Sequence, residues 1–330
     1  MKYSGIGGQA VMEGIMMRNR DAYSLSVRLG DGSIHTDVTK VKATPVFFKL
    51  PFFRGMYSFA ESLIVGMKTL FQSSDYIEDD EETKKKREEN PEKVKKEEKA
   101  QMAGTLVISF ALALLIFLAL PFYLSKLFDK VIASETVIVL IEGLIRVVIL
   151  IAYMALIARM EDIKRVYMYH GAEHKCINCV EHGLPLTVEN ARKSTRFHKR
   201  CGTSFLFIVV FISVFVFAFI RVDSRPLQLL LRIALMPVIA GISYEFLRLG
   251  GRSDNAVINC LAAPGLWLQR ITTKEPDDSM LEVGIASVNA VFDWAAWQKE
   301  TFGAQPEEPP AAAVGEEGVD HTDPEERGQL

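Results

Sequence analysis

Leu106-Val-Ile-Ser-Phe-Ala-Leu-Ala-Leu-Leu-Ile-Phe-Leu-Ala-Leu-Pro-Phe-Tyr-Leu124 is apolar apart from Ser109 and the hydroxyl of Tyr123. A run of this length approaches the roughly 20 residues that a helix needs to cross about 30 Å of hydrocarbon. Three more runs follow, at Thr136–Ala158, Ser204–Ile220 and Leu227–Leu249. The connections around 126–135 and 221–226 are short, so the runs should pair as antiparallel hairpins. The expected fold class is a membrane all-α bundle of four transmembrane helices, with a small cytosolic α+β part.

Orientation follows from the distribution of basic residues. The segment between the second and third spans carries Lys164, Arg165, Lys175, Arg192, Lys193, Arg196, Lys199 and Arg200. The segment before the first span carries Lys93, Lys95, Lys96 and Lys99. The two short loops carry only Lys126, Lys130, Arg221 and Arg225. Both termini and the central segment are therefore expected in the cytosol, in a multi-pass protein of the inner (plasma) membrane. Glycines and Glu13 stand in Met1–Asn19 where the apolar centre of a signal peptide would be, so no such peptide is expected.

The soluble parts read as follows. In residues 1–75, Ser24–Leu29 and Ser33–Val38 alternate like strands around Gly30-Asp-Gly32, a β-hairpin. From Pro51 to about Phe71 an amphipathic helix is expected, interfacial or packed. Residues 76–102 form a charged linker, 103–158 hold spans one and two, 159–203 are a cytosolic His/Cys-rich loop, and 204–249 hold spans three and four. Residues 250–303 form a cytosolic C-terminal region with a short helix at Pro264–Gln269 and an amphipathic one at Met280–Gln298. The Pro/Glu/Ala/Gly-rich tail, 304–330, reads as disordered. A net charge of -3 over 330 residues gives no argument for nucleic acid. The partners expected are the lipid bilayer and an unidentified substrate or protein, with homo-oligomerisation left open.

The spans carry charges. Glu142 and Arg146 lie in the second, Arg232 and Glu245 in the fourth. Charge at membrane depth is costly and usually faces a bundle interior or a wet cavity. Glu142 and Arg146 share a helix face, and Glu142 and Arg232 lie at similar depth, so a cross-helix pair is expected. Ion pairing and transport chemistry both fit these residues.

Residues 169–201 concentrate the chemistry: Tyr169-His-Gly-Ala-Glu-His-Lys-Cys-Ile-Asn-Cys179, then His182, then His198-Lys-Arg-Cys201. His170 and His174 are spaced i, i+4, which lets both imidazoles share one metal ion. With Glu173 the string is H-x-x-E-H, whose carboxylate can act as a base. A third ligand is needed, from His198, Cys201 or Glu245. A second scheme is a closed structural zinc site of Cys176, Cys179, His198 and Cys201. The bland reading, interfacial histidines and small buried cysteines, fits a lone histidine better than this cluster. Near the N-terminus, Gly7-Gly-Gln-Ala-Val-Met-Glu-Gly14 lacks the ending of a phosphate loop. It reads equally as a packed turn or as a ligand loop with Glu13 and Arg18.

Several long strings resemble the YqhQ-like bacterial membrane proteins, a domain of unknown function (1385) labelled a predicted metal-dependent enzyme. They are Gly7–Arg18, His170–Lys175, Leu184–Asn190, His198 with Arg200–Phe205, and Pro264–Gln269, spread over residues 3–297. The resemblance implies metal chemistry and names no substrate. It carries the His170–His174 string and the His198/Cys201 pair, and so favours His170, His174, His198 and Cys201 as ligands over the scheme with Cys176 and Cys179. The leading expectation is a metal-dependent, hydrolytic enzyme at the cytosolic face, holding a divalent metal, zinc by ligand softness. The alternatives are a scaffold or regulator with a structural metal and a transporter using the intramembrane charges.

Overall fold

The computed structural model describes residues 2–41, 45, 48, 50, 53–77, 91–220, 222–250 and 255–303. The expected start of the amphipathic helix at 51–52, the acidic and basic run at 78–90, the turn at 251–254 and the tail from 304 lie outside these residues.

The chain opens on a four-stranded antiparallel meander: β1 (Gly7–Val11), β2 (Gly14–Asn19), β3 (Ala22–Arg28) and β4 (Ile34–Lys40), in the order β1-β2-β3-β4. The hairpin read from alternation is the β3–β4 pair, with Ser24 opposite Val38 and Arg28 opposite Ile34. β1 has no alternation of its own and is a strand because β2 pairs with it. Two-residue connections link β1 to β2 and β2 to β3, with positive φ at Glu13 (47°) and Arg20 (41°). The central strands β2 and β3 are buried on both faces. Ile15 and Met17 face a core with Tyr169, Ile177, Met280 and Val288. Met16, Leu25 and Val27 face Val65 and Leu70.

Helix α1 (Phe53–Ile77) covers the second face. The apolar helices follow. α2 (Pro91–Leu114) runs through a π-helical turn, Leu115–Ala119, into α3 (Leu120–Ser125) and a 3-10 turn, Lys126–Lys130. Pro121 cannot donate to the carbonyl four residues earlier, which accounts for the irregular ladder there. α4 spans Glu135–Ile157, α7 Gly202–Ala218 and α8 Arg225–Gly250. Among the described residues, three helical stretches are long and apolar enough to cross a membrane: Ala100–Lys130, Glu135–Ile157 and Arg225–Gly250. α7, over most of the expected third span, has 17 residues, about 25 Å of helix. Large apolar side chains stand outward on all four, among them Phe110, Leu144, Phe215 and Leu230. Exposed apolar surface on this scale marks an interaction with lipid or protein.

The segment 159–203, expected as a loop, is mostly helical: α5 (Glu161–Glu181) and α6 (Val188–Lys193). Every residue from Gly171 to Glu181 is buried, charged ones included. A helix enclosed on all sides shows no polar face in its sequence, which is why periodicity does not reveal it. α9 (Ala256–Thr272), α10 (Asp278–Val291) and α11 (Trp294–Phe302) complete the fold. α10 packs on α5 so closely that a Cβ on Gly284 would lie 2.8 Å from the Cys176 sulfur.

In the bundle, Glu142 pairs with both Arg232 and Arg146. The expected cross-helix contact is present, and the planes of both guanidinium groups lie near the Phe217 ring. Glu245 is engaged by Arg54 of α1 through both carboxylate oxygens. Next to that pair, the Gly55 main chain meets that of Gly241.

Candidate metal centre

His170, Glu173, His174, Ile177 and Glu181 recur at helical spacing, so α5 turns one edge toward a single side of the molecule. Gly171 breaks the helix-forming pattern for a packing reason. A Cβ there would sit 2.0 Å from the carbonyl of Lys274. That contact brings the end of α9 against α5. Carbonyls in the last turn of a helix lack intrahelical donors, and the carbonyl of Thr272 accepts from His170 Nδ1 at 2.9 Å. The carbonyl of Arg196 accepts from His174 Nδ1 at 2.7 Å. A carbonyl oxygen can only accept, so in both rings Nδ1 carries the proton. Each Nε2 is left for something else.

That something is beside Cys201. Its Sγ lies 3.1 Å from His170 Nε2. Cys201 is the N-cap of α7, its sulfur accepting the Thr203 N–H at 3.4 Å. Ligand atoms of His170, His174 and Cys201 all lie within 4.8 Å of one another, the arrangement of three donors around one ion. Burial would raise the Cys201 thiol, but His170 and His174 outweigh it and hold the group well below its ordinary value. Burial would lower His170, yet the sulfur opposite raises it to about 9. The donor set therefore fits a divalent metal: a thiolate and two oriented imidazole nitrogens.

Glu173 sits next to the triad. Its side chain receives the Gly8 N–H, and β1 approaches so closely that a Cβ on Gly8 would lie 3.1 Å from the carboxyl carbon. Its Oε2 is buried and unpartnered. Burial, only partly offset by His170 and His174, pushes the carboxyl up.

The other expected ligands are placed elsewhere. His198 is near, with its ring centroid 5.5 Å from that of His174. Its Nε2, however, faces Glu181 at 3.6 Å and Arg200 at 3.2 Å. Its main chain is clamped by Gln269, which both donates to and accepts from it at 2.8 Å. Cys176 and Cys179 point into the core, toward the carbonyls of Leu281 and Pro185. Burial raises both thiols, Cys179 to about 11. They are not gathered with His198 and Cys201 around one point. Glu13 pairs with Arg165 and accepts from Tyr169 at 3.2 Å, and Arg18 pairs with Glu61 at 2.7 Å.

Sequence reading missed Glu181, whose burial is complete. One oxygen accepts from Ser4 at 2.7 Å and pairs with Arg200. Burial would raise it, but His198 and Arg200 together hold it below the usual carboxylate range. Gln269 was also missed as the clamp of the 198–201 turn. Glu181 lies seven residues past His174, two turns along the same helix edge, which is the signal that could have found it.

A family profile described as "Protein of unknown function (DUF1385)" matches residues 50–294. The chain belongs to the DUF1385 family. The uncharacterized protein YqhQ of Bacillus subtilis (strain 168) is 37% identical over 299 residues, covering 87% of this chain and 92% of that one. No solved structure matches significantly. In this DUF1385 chain the triad borders a cavity of about 1000 Å³. The walls come from the β1 segment, α1, the start of α7 and the end of α8, so the site lies where the polar domain meets the apolar helices.

Proposed function

We propose that this protein is a metal-dependent hydrolase of the cytosolic membrane face. Its apolar helices form a four-span bundle, with both termini and the sheet domain in the cytosol, as the basic residues of 159–203 imply. The observation that carries the enzymatic reading is the open triad, His170, His174 and Cys201, beside a buried carboxylate with an unpartnered oxygen. Three protein ligands and a vacant side are the pattern of catalytic sites, whereas structural sites close with a fourth. A bound metal, zinc by the softness of Cys201, would supply a Lewis acid and a water of lowered pKa. Glu173 takes the proton from the attacking water and returns it to the leaving group. Thr272 and Arg196 hold the imidazoles, and Gly8 fixes Glu173. The charges at 142, 146 and 232 are engaged with one another, which supports a structural role rather than transport.

The test is metal analysis of purified protein. His174→Ala should lose the metal. Glu173→Gln should keep it and abolish complementation of a deletion strain. Cys176→Ser should keep both. Metal that survives loss of both His170 and His174 would sink the site.

A second reading is favoured by the 3.1 Å contact between Cys201 Sγ and His170 Nε2. A cysteine at a helix start beside an imidazole can act as a nucleophile in a metal-free hydrolase. Metal-free protein that complements fully would favour that reading.

A further inference from the structure

Two glycines on the cavity wall are not required by the fold. Gly7 in β1 and Gly202 at the start of α7 have no positive φ, and a Cβ at either would meet nothing within 4 Å. Bare main chain facing open space is what close approach of a ligand needs. Gly202 opens a 17-residue helix directly after the capping Cys201. First-turn amides lack intrahelical acceptors, and that end of a helix favours anions.

The cavity holds further cationic groups. Arg248, from the last turns of α8, and Arg20, from the β2–β3 turn, line it and have no ionic or hydrogen-bonding partner among the described residues. Two of the four acidic lining residues are engaged. Glu61 holds Arg18, and Asp293 caps α11 by accepting from Ala296, leaving Glu173 beside the triad and the exposed Glu300. The same cavity reaches the apolar helices. Tyr244 and Leu247 line it from α8, and Val65 from α1. Next to these on the two helices, Leu249 and Ile64 are 56% and 70% exposed.

We propose that this cavity binds a phosphate ester carried by a membrane lipid, with the phosphate near Gly202, Arg248 and the metal triad and the chains leaving between α1 and α8. The proposal names the substrate class of the hydrolase site and rests on that reading for its chemistry. The phosphate contacts through Gly202 and Arg248 do not need the metal.

The experiment is calorimetric titration of the full-length protein in a maltoside detergent, both zinc-loaded and metal-stripped. The probes are dihexanoyl phosphatidic acid and inorganic phosphate. The short-chain lipid is expected to bind both forms, tighter than inorganic phosphate by about tenfold or more, since its chains bury apolar surface. Arg248→Gln should weaken lipid binding by about tenfold, the loss of one charge-assisted contact. Gly202→Ala, which introduces no clash, should weaken it while leaving zinc uptake unchanged. Equal affinity for lipid and inorganic phosphate overturns the lipid source. No binding of either probe to either form overturns the proposal. Zinc uptake, measured on the same samples, reports separately: lipid binding without zinc uptake sinks the hydrolase reading and leaves the lipid site standing.

Discussion

Arg146 donates its Nε–H to the carbonyl of Phe117 at 2.9 Å. Phe117 stands four residues before Pro121, which has no N–H to give it. The proline thus frees a carbonyl in the first apolar stretch, and an arginine from the second occupies it. The remaining donors of Arg146 reach Ser213 at 2.7 Å and Glu142 at 2.6 Å, and Glu142 also pairs with Arg232. One carboxylate therefore balances two guanidinium groups among apolar helices.

Loss of that carboxylate should be severe. Glu142→Gln leaves two buried cations without a counter-charge, and breaking a buried pair typically costs about 3–5 kcal/mol. Thermal unfolding in detergent should show a large fall in Tm. Adding Arg232→Met should recover part of it, because the two side chains touch. Strictly additive losses would argue against their coupling.

Metal affinity should depend on pH with a definite sign. His170 stays protonated up to about 9 in the metal-free protein, because the Cys201 sulfur opposite outweighs burial. Its Nε2 must lose that proton to ligate. Apparent affinity should therefore rise about tenfold per pH unit while His170 is protonated and level off above a pH of about 9. Cys201 is held well below its ordinary value and adds little to this slope at neutral pH. Chelator competition across pH 6–10 measures it; affinity independent of pH would remove His170 from the ligand set.

Gly171→Ala should damage the site without touching a ligand. The new methyl would meet the Lys274 carbonyl at 2.0 Å, so α5 and the end of α9 must separate. Overpacking of this kind costs roughly 1–3 kcal/mol. The Thr272 carbonyl would move away from His170 Nδ1, so metal affinity should fall along with Tm. A variant with lowered Tm and unchanged affinity would show that the carbonyl does not orient the ring.

The topology has its own check. In a variant with all four native cysteines replaced, single cysteines at Ser33, Ser194 and Ser279 should resist an impermeant thiol reagent in intact cells and react after lysis. Labelling of any of the three from outside would overturn the orientation drawn from the basic residues.

Much of the site was legible because α5 is short-range chemistry. The i, i+4 spacing brings His170 and His174 together in any helix, and Glu173 follows between them. The third donor was not legible. By type Cys201, His198 and Glu245 were all candidates, and the family resemblance narrowed them only to His198 and Cys201. The choice rests on the Gln269 clamp and on Glu181, which hold His198 aside, and on Arg54, which holds Glu245. The strand β1 was invisible for a related reason: Gly7-Gly-Gln-Ala-Val has no alternation, and only its pairing with β2 makes it a strand.

By itself the sequence determined the apolar helices, the β3–β4 hairpin and the pairing depth of Glu142 and Arg232. Runs of apolar residues and two-residue alternation are local patterns, written in neighbouring positions, and helix rise converts them directly into length and depth. The tertiary structure alone decided that 161–181 is an enclosed helix rather than a loop, that Cys176 and Cys179 belong to the core, and that Cys201 joins the two histidines. Those outcomes depend on which distant carbonyls, carboxylates and glycines arrive beside a side chain, and burial by remote segments leaves no periodic trace in the chain it covers.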